Sequence, residues 1–230
     1  MSDQHRLLSL PSGSGFPSSL QTNRTATRSS QAGDSYGSFV PAPTDGGTHQ
    51  VLVLDVSSSM NGPCEPQLKK IDALIRSSIN FLNIQARQHK GTKITIVTFN
   101  HNAQVLIEDT VDQNGHARLV EAAKSLKASG GTDMIKALKL GGDAFDPNQF
   151  GVKQLTLLSD GVHESGGDPC TAADALRQRG IMISAIGFGD NADEHTLRKI
   201  ASQKNGAPAY WNARDQDTLS SSLVAATQTY

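Results

Sequence analysis

From residue 50 onward, short apolar runs of strand length alternate with segments whose apolar residues recur at helical spacing. Val51-Leu52-Val53-Leu54 comes first, within a strand over residues 50–56. Leu68, Ile71, Ile75, Ile79, Leu82 and Ala86 then repeat with a helical period, and Gly91 stops that helix. Ile94 to Phe99 reads as a second strand. Ala103 to Ile107 follows after only Asn100-His101-Asn102, a link suited to a hairpin and too short for a parallel crossover, so this strand is expected to be antiparallel. Leu119, Val120, Ala123 and Leu126 mark a short helix. Ile135, Leu138, Gly142 and Phe145 mark another, which begins just after Thr132. Val152 to Leu158 and Ile181 to Phe188 are strands, separated by a helix from Thr171 to Arg179 that Gly180 ends. A helix around Asp193–Gln203, a short edge strand at Pro208–Trp211 and a last helix from Asp215, with Leu219, Leu223 and Ala226 on one face, complete the series. The alternation predicts an α/β fold: a Rossmann-like three-layer sandwich with a mostly parallel six-stranded sheet, one antiparallel edge strand and helices on both faces. Right-handed crossovers then gather functional groups at the carboxyl ends of the strands.

The first 48 residues have a different character. They are rich in Ser, Thr, Gly and Pro, as in Pro11-Ser12-Gly13-Ser14-Gly15, and show no sustained apolar period. Such a segment buries too little surface to offset its ordering entropy, so a disordered tail over 1–48 and a domain over 49–230 are expected. Leu7-Leu8-Ser9-Leu10-Pro11 is too short for a signal peptide core, and no stretch reaches transmembrane length, which gives a cytoplasmic expectation. Net charge is −1, with acidic and basic residues interspersed. No basic stripe or aromatic platform suggests nucleic acid. Cys64 and Cys170 are too few for a disulfide scaffold or a zinc site, and free thiols are expected. His101, His116 and His195 have no zinc-ligand spacing either.

At the end of the first strand stands Asp55-Val56-Ser57-Ser58-Ser59. A carboxylate and two hydroxyls at alternate positions leave the strand end on one side. All three are hard oxygen donors, suited to Mg²⁺ or a similar cation. Ser129-Gly130-Gly131-Thr132-Asp133 and Leu157-Leu158-Ser159-Asp160-Gly161 could complete such a site, since Asp160 also lies at a strand's carboxyl end. Asp-x-Ser-x-Ser alone reads more often as a turn or a helix cap than as a metal site.

The three segments in this order resemble the metal-ion-dependent adhesion site (MIDAS) of the von Willebrand factor A domain family, whose signature is Asp-x-Ser-x-Ser, then a Thr, then an Asp. Here these positions are Asp55, Ser57 and Ser59, then Thr132, then Asp160. The resemblance extends over about 49–230 and includes Ala185-Ile186-Gly187-Phe188-Gly189. It implies a Mg²⁺ site, with Mn²⁺ or Ca²⁺ as alternatives. Ser57 and Ser59 would be direct ligands, Thr132 a direct or water-bridged one, and Asp55 and Asp160 would mainly hold metal-bound waters. It also implies a non-enzymatic protein–protein interaction module, an adaptor whose metal meets an Asp or Glu of a partner protein. By family association that partner belongs to a kinase, phosphatase or ATPase context.

Neighbouring residues carry weaker expectations. Asp133 reads as an N-terminal helix residue and not a ligand. Asp109 and Asp112 are expected exposed in a loop beyond the antiparallel strand. His163 and Glu164 should share the metal's face, in an exposed loop, with support of the metal ligands or contact with a partner as the alternative. In the resembled fold, Cys64 and Cys170 would approach each other near the metal. Two other functions compete. A haloacid-dehalogenase-like phosphatase would need a second carboxylate two residues after Asp55, where Ser57 stands, and no Gly-rich P-loop is present. Alternatively, the metal would merely brace three loops.

Overall fold

The computed structural model describes residues 48–148 and 151–228. The tail expected over 1–48 lies outside the described residues, except for Thr48, which opens the first strand.

Among the described residues, ten strands and six α-helices follow in chain order. They are β1 (Thr48–Asp55), the two-stranded hairpin β2 (Pro63–Glu65) and β3 (Leu68–Lys69), α1 (Lys70–Gln88), β4 (Lys93–Phe99), β5 (Ala103–Thr110), α2 (Gln113–Lys124) and α3 (Met134–Asp143). Then come β6 (Val152–Ser159), α4 (Pro169–Gln178), β7 (Met182–Phe188), α5 (Glu194–Ile200), the hairpin β8 (Gln203–Lys204) and β9 (Ala207–Pro208), β10 (Tyr210–Ala213) and α6 (Gln216–Thr227). Six strands form the main sheet in the order β10-β7-β6-β1-β4-β5. All neighbours in it are parallel except β4 and β5. A three-layer α/β fold with one antiparallel edge strand is thus what the alternation produces.

The strand period divides the core. On β1, Leu52 and Leu54 join the apolar cluster under α1, α2 and α6, while Val51 and Val53 face the cluster under α3 and α4. All four are fully buried. β1 lies between β4 and β6, so both faces and both edges of this strand are covered. That is why it reads as an unbroken apolar run.

Several element boundaries differ from the periodic reading. Leu68 has the right spacing for α1 but belongs to β3; the helix starts at Lys70. The fifth helix stops at Ile200, and Gln203 falls in the β8–β9 hairpin. Pro208 belongs to that hairpin too, so the edge strand is Tyr210–Ala213, parallel to β7. Proline cannot donate to a ladder, which places the boundary after it. β5 runs on to Thr110, with a bulge opposite Ile96 and Val97. Asp109 is therefore a strand residue, paired with Arg118 at 2.6 and 2.9 Å, and not an exposed loop residue. Asp112 caps α2 by accepting from the Asn114 and Gly115 N–H groups.

Candidate metal centre

Asp55 is the last residue of β1 and is fully buried. Its Oδ1 accepts the Ser57 N–H at 2.8 Å, which turns the chain out of the strand in an Asx turn. Its Oδ2 accepts from the Ser159 hydroxyl at 2.6 Å, across to the end of β6. Ser57 occupies the N-cap position of a short 3-10 turn, Ser58–Asn61, yet makes no side-chain cap bond. Its hydroxyl instead lies 2.8 Å from Ser59 Oγ. Ser59 Oγ in turn donates to Asp160 Oδ1 at 2.6 Å. The capping reading of these serines therefore fails on geometry: both hydroxyls point into a shared cluster. The fully buried Met60 anchors the turn beneath them.

The loop that carries Thr132 is tied to this turn by backbone. Ser129 N–H donates to Val56 C=O at 2.7 Å, and Ser58 N–H donates to Gly130 C=O at 2.8 Å. Asn100 braces it from the end of β4: its side-chain amide donates to Ser129 C=O, and its carbonyl accepts from Asp133 N–H. Gly130 has φ +80°, and a Cβ there would lie 2.4 Å from His101 Nδ1, so only glycine fits both the backbone and the space. Thr132 is buried at the mouth. A Cβ built on Gly161 would lie 3.7 Å from Thr132 Oγ1 and 3.9 Å from Ser59 Oγ, so these two hydroxyls face the same small opening. Asp133 is the N-cap of α3, its Oδ1 accepting from Lys136 N–H at 3.1 Å, and is spent there as expected.

Three residues beyond the five expected ligands stand around the site. The first is Lys70, whose Nζ lies 2.8 Å from Asp160 Oδ2 in a pair with side-chain exposures of 10% and 0%. No spacing rule points to it, since the contact spans 90 residues of chain. The second is Ser159, which in the sequence is only the end of an apolar strand. The third is Glu164, which is exposed in a loop on this face, as expected, and is nonetheless tied to Thr132. Its Oε2 accepts the Thr132 N–H at 3.0 Å, and its own N–H donates to Thr132 C=O at 2.9 Å. His163 is likewise engaged, its Nδ1 accepting from Met134 N–H at 3.2 Å. The two cysteines are free thiols, partly buried, and burial pushes both above the ordinary thiol range.

Burial also acts on Asp55, pushing its carboxyl up to about 6. Hydrogen bonds from Ser159 and Ser57 oppose the rise, and the nearby Asp160 adds to it. The result is a compact group of hydroxyls and carboxylates with a poorly solvated negative charge at its base. Its hard oxygens suit a hard cation. Among the described residues, no cluster of three or more His, Cys, Asp or Glu side chains is placed to hold a metal. A metal here would depend on the three hydroxyls to supplement two carboxylates.

A model of the von Willebrand factor type A domain matches residues 51–224. The chain belongs to the von Willebrand factor type A domain family. Domains of this family generally mediate protein–protein interaction, often with a divalent metal. The uncharacterized protein sll0103 of Synechocystis is 30% identical over 165 residues, which cover 69% of this chain and 36% of that protein. The chain thus spans about a third of the length of the curated relative it matches. Among solved structures, BatB of Bacteroides thetaiotaomicron is 19% identical with a TM-score of 0.64, over 79% of this chain and 100% of that one. Proximal thread matrix protein 1 of the mussel byssus, in a form with a zinc-occupied MIDAS motif, is 23% identical with a TM-score of 0.65, over 80% and 46%. At these identities the likeness is one of fold. No described helix is long and apolar enough to cross a membrane.

Proposed function

We propose that this domain is a non-enzymatic interaction module that holds a divalent cation, Mg²⁺ first, against Ser57, Ser59 and Thr132 with Asp55 and Asp160 behind them. A cation held largely by neutral hydroxyls keeps much of its charge uncompensated and retains exchangeable waters, so it supplies a coordination position for a carboxylate. An Asp or Glu of a partner protein would take that position.

The observation that carries the reading is the run of oxygens from Ser57 to Ser59 to Asp160 at 2.8 and 2.6 Å, at the carboxyl ends of the adjacent strands β1 and β6. Both serine hydroxyls are turned away from capping duty and toward a buried carboxylate. Val162 supports a contact role for this face. Two residues beyond Asp160, it is 57% exposed and offers apolar area beside the opening.

Lys70 gives the phosphotransfer reading a cation near Asp160, but Ser57 still stands where that chemistry needs a second acid. Two measurements test the choice. Affinity capture from the native host should yield a protein that is retained in Mg²⁺ and lost both in EDTA and with folded Asp55→Ala. Retention of that protein under all three conditions would overturn the metal bridge. Turnover of a generic phosphate ester that disappears in Asp55→Asn would overturn the non-enzymatic reading.

A further inference from the structure

The Lys70 ammonium is the one feature of this site that an oxygen cage for a cation does not need. It comes from the first residue of α1, whose N–H is fixed by Gly62 C=O at 2.9 Å. The side chain runs inward and ends on Asp160 Oδ2 at 2.8 Å, while Asp160 Oδ1 takes the Ser59 hydroxyl. Lys70 is 8% exposed overall. Its berth is built: Gly189, at φ +85° just past β7, lacks the Cβ that would stand 3.0 Å from Lys70 Cε and 3.1 Å from Nζ. A buried lysine is costly unless paired, and this one is paired with the carboxylate that a cation would also draw on.

Counting formal charge gives the consequence. Among the buried charges, Asp55 and Asp160 ionised and Lys70 charged sum to a net −1, while Glu164 lies exposed at the rim, where solvent screens it. A divalent cation brings this sum to +1, and the carboxylate of a partner then brings it to zero. Without Lys70 the same steps would run from −2 to zero to −1, so metal binding would neutralise the site and the partner's carboxylate would recharge it. In a poorly solvated setting each unit of charge weighs heavily.

We propose that Lys70 is a positioning and specificity-determining residue that trades metal affinity for anion affinity: its fixed positive charge weakens cation binding and leaves the loaded site cationic, so that it favours a carboxylate. The proposal rests on the metal-site reading above. It makes Lys70 an opponent of the metal, whereas a purely structural lysine would support it.

The experiment uses the full chain as wild type, Lys70→Arg, Lys70→Gln and Lys70→Met, each checked for folding by circular dichroism in EDTA. Gln keeps a hydrogen-bond donor to Asp160 without the charge, so it serves if Met fails to fold. Mn²⁺ alone is titrated by following its free electron paramagnetic resonance signal. Acetate is then the carboxylate probe, read by relaxation of its methyl protons near bound Mn²⁺. Gln and Met are expected to bind Mn²⁺ about tenfold or more tightly than wild type. Their Mn²⁺-loaded forms are expected to lose about tenfold in acetate affinity, while Arg, which keeps the charge, stays closer to wild type than either. Equal or weaker Mn²⁺ binding in Gln and Met would overturn the proposal and leave the metal site standing. Absence of Mn²⁺ binding in all four proteins would overturn the metal-site reading itself.

Discussion

The Ser159 hydroxyl donates to Asp55 Oδ2 at 2.6 Å, between two fully buried side chains at the ends of the adjacent strands β6 and β1. The bond favours the ionised carboxylate and opposes burial, which pushes it toward the neutral form. A cation needs the ionised form. Ser159→Ala is therefore expected to weaken Mg²⁺ binding by roughly threefold to tenfold at pH 7, with the loss shrinking as the pH rises. Calorimetric titration at several pH values checks this. A loss of equal size at every pH would mean that the hydroxyl acts through packing alone.

Asp55 also sets a pH dependence of the metal-free fold. An unfolded Asp titrates near about 3.9, whereas in the folded chain burial raises this one to about 6. The folded state holds the extra proton through that window. The resulting stabilisation is fully present below about pH 4 and is lost as the pH rises through 6. In EDTA at pH 7.5, Asp55→Asn should exceed wild type in stability by about 3 kcal/mol, with the two converging toward pH 4. Saturating Mg²⁺ should reverse the order, since only wild type gains binding free energy. Denaturant melts of both proteins, with and without metal, read this directly.

Glu164 engages both backbone groups of Thr132: its Oε2 accepts the Thr132 N–H at 3.0 Å, and its N–H donates to the Thr132 C=O at 2.9 Å. Glu164→Ala removes the side-chain acceptor of the Thr132 N–H and keeps the backbone bond. Mg²⁺ affinity is expected to fall severalfold, while the denaturant midpoint moves by no more than the equivalent of about 1–2 kcal/mol. If the affinity holds and only the midpoint moves, Asn100 suffices to place the loop.

On α3, Gly141 faces the sheet so closely that a Cβ would stand 2.8 Å from Val53 Cγ2 and 2.9 Å from Leu155 Cδ1. Gly141→Val should lower stability by roughly 1–3 kcal/mol through overpacking. The folded protein should retain wild-type Mg²⁺ affinity, because the helix surface is displaced well below the strand ends. Urea melts and a metal titration of the folded variant check the two halves of the statement.

What the sequence discloses here depends on the range of the interaction. Leu52 and Leu54 alternate with Val51 and Val53 because one strand feeds two cores, and that period is local. The short link at Asn100-His101-Asn102 likewise fixes an antiparallel neighbour for β4. Asp55, Ser57 and Ser59 are legible because one turn presents them together. Lys70 is different: its charge looks like any solvated helix residue until α1 packs it against Asp160. Ser159 acts through a partner 104 residues away, and no local pattern marks it; Glu164 is legible as a residue of the same face, but its bond to Thr132, 32 residues away, is not. Leu68 misleads for the opposite reason, since its spacing continues the helical period while the chain turns through a hairpin.

The backbone bonds among the loops have a mechanical consequence. Ser129 to Val56, Ser58 to Gly130, Asp133 to Asn100 and Glu164 to Thr132 stitch the crown of the sheet into one piece. Tension applied to that crown would be shared by several loops before any one of them yielded. It would then pass into β1, which is flanked by parallel partners on both edges from His49 to Leu54. Pulling along such a strand loads its ladder bonds together in shear, whereas pulling an edge strand sideways peels them one after another. A load reaching these loops along β1 would thus act in shear on a strand bonded on both edges.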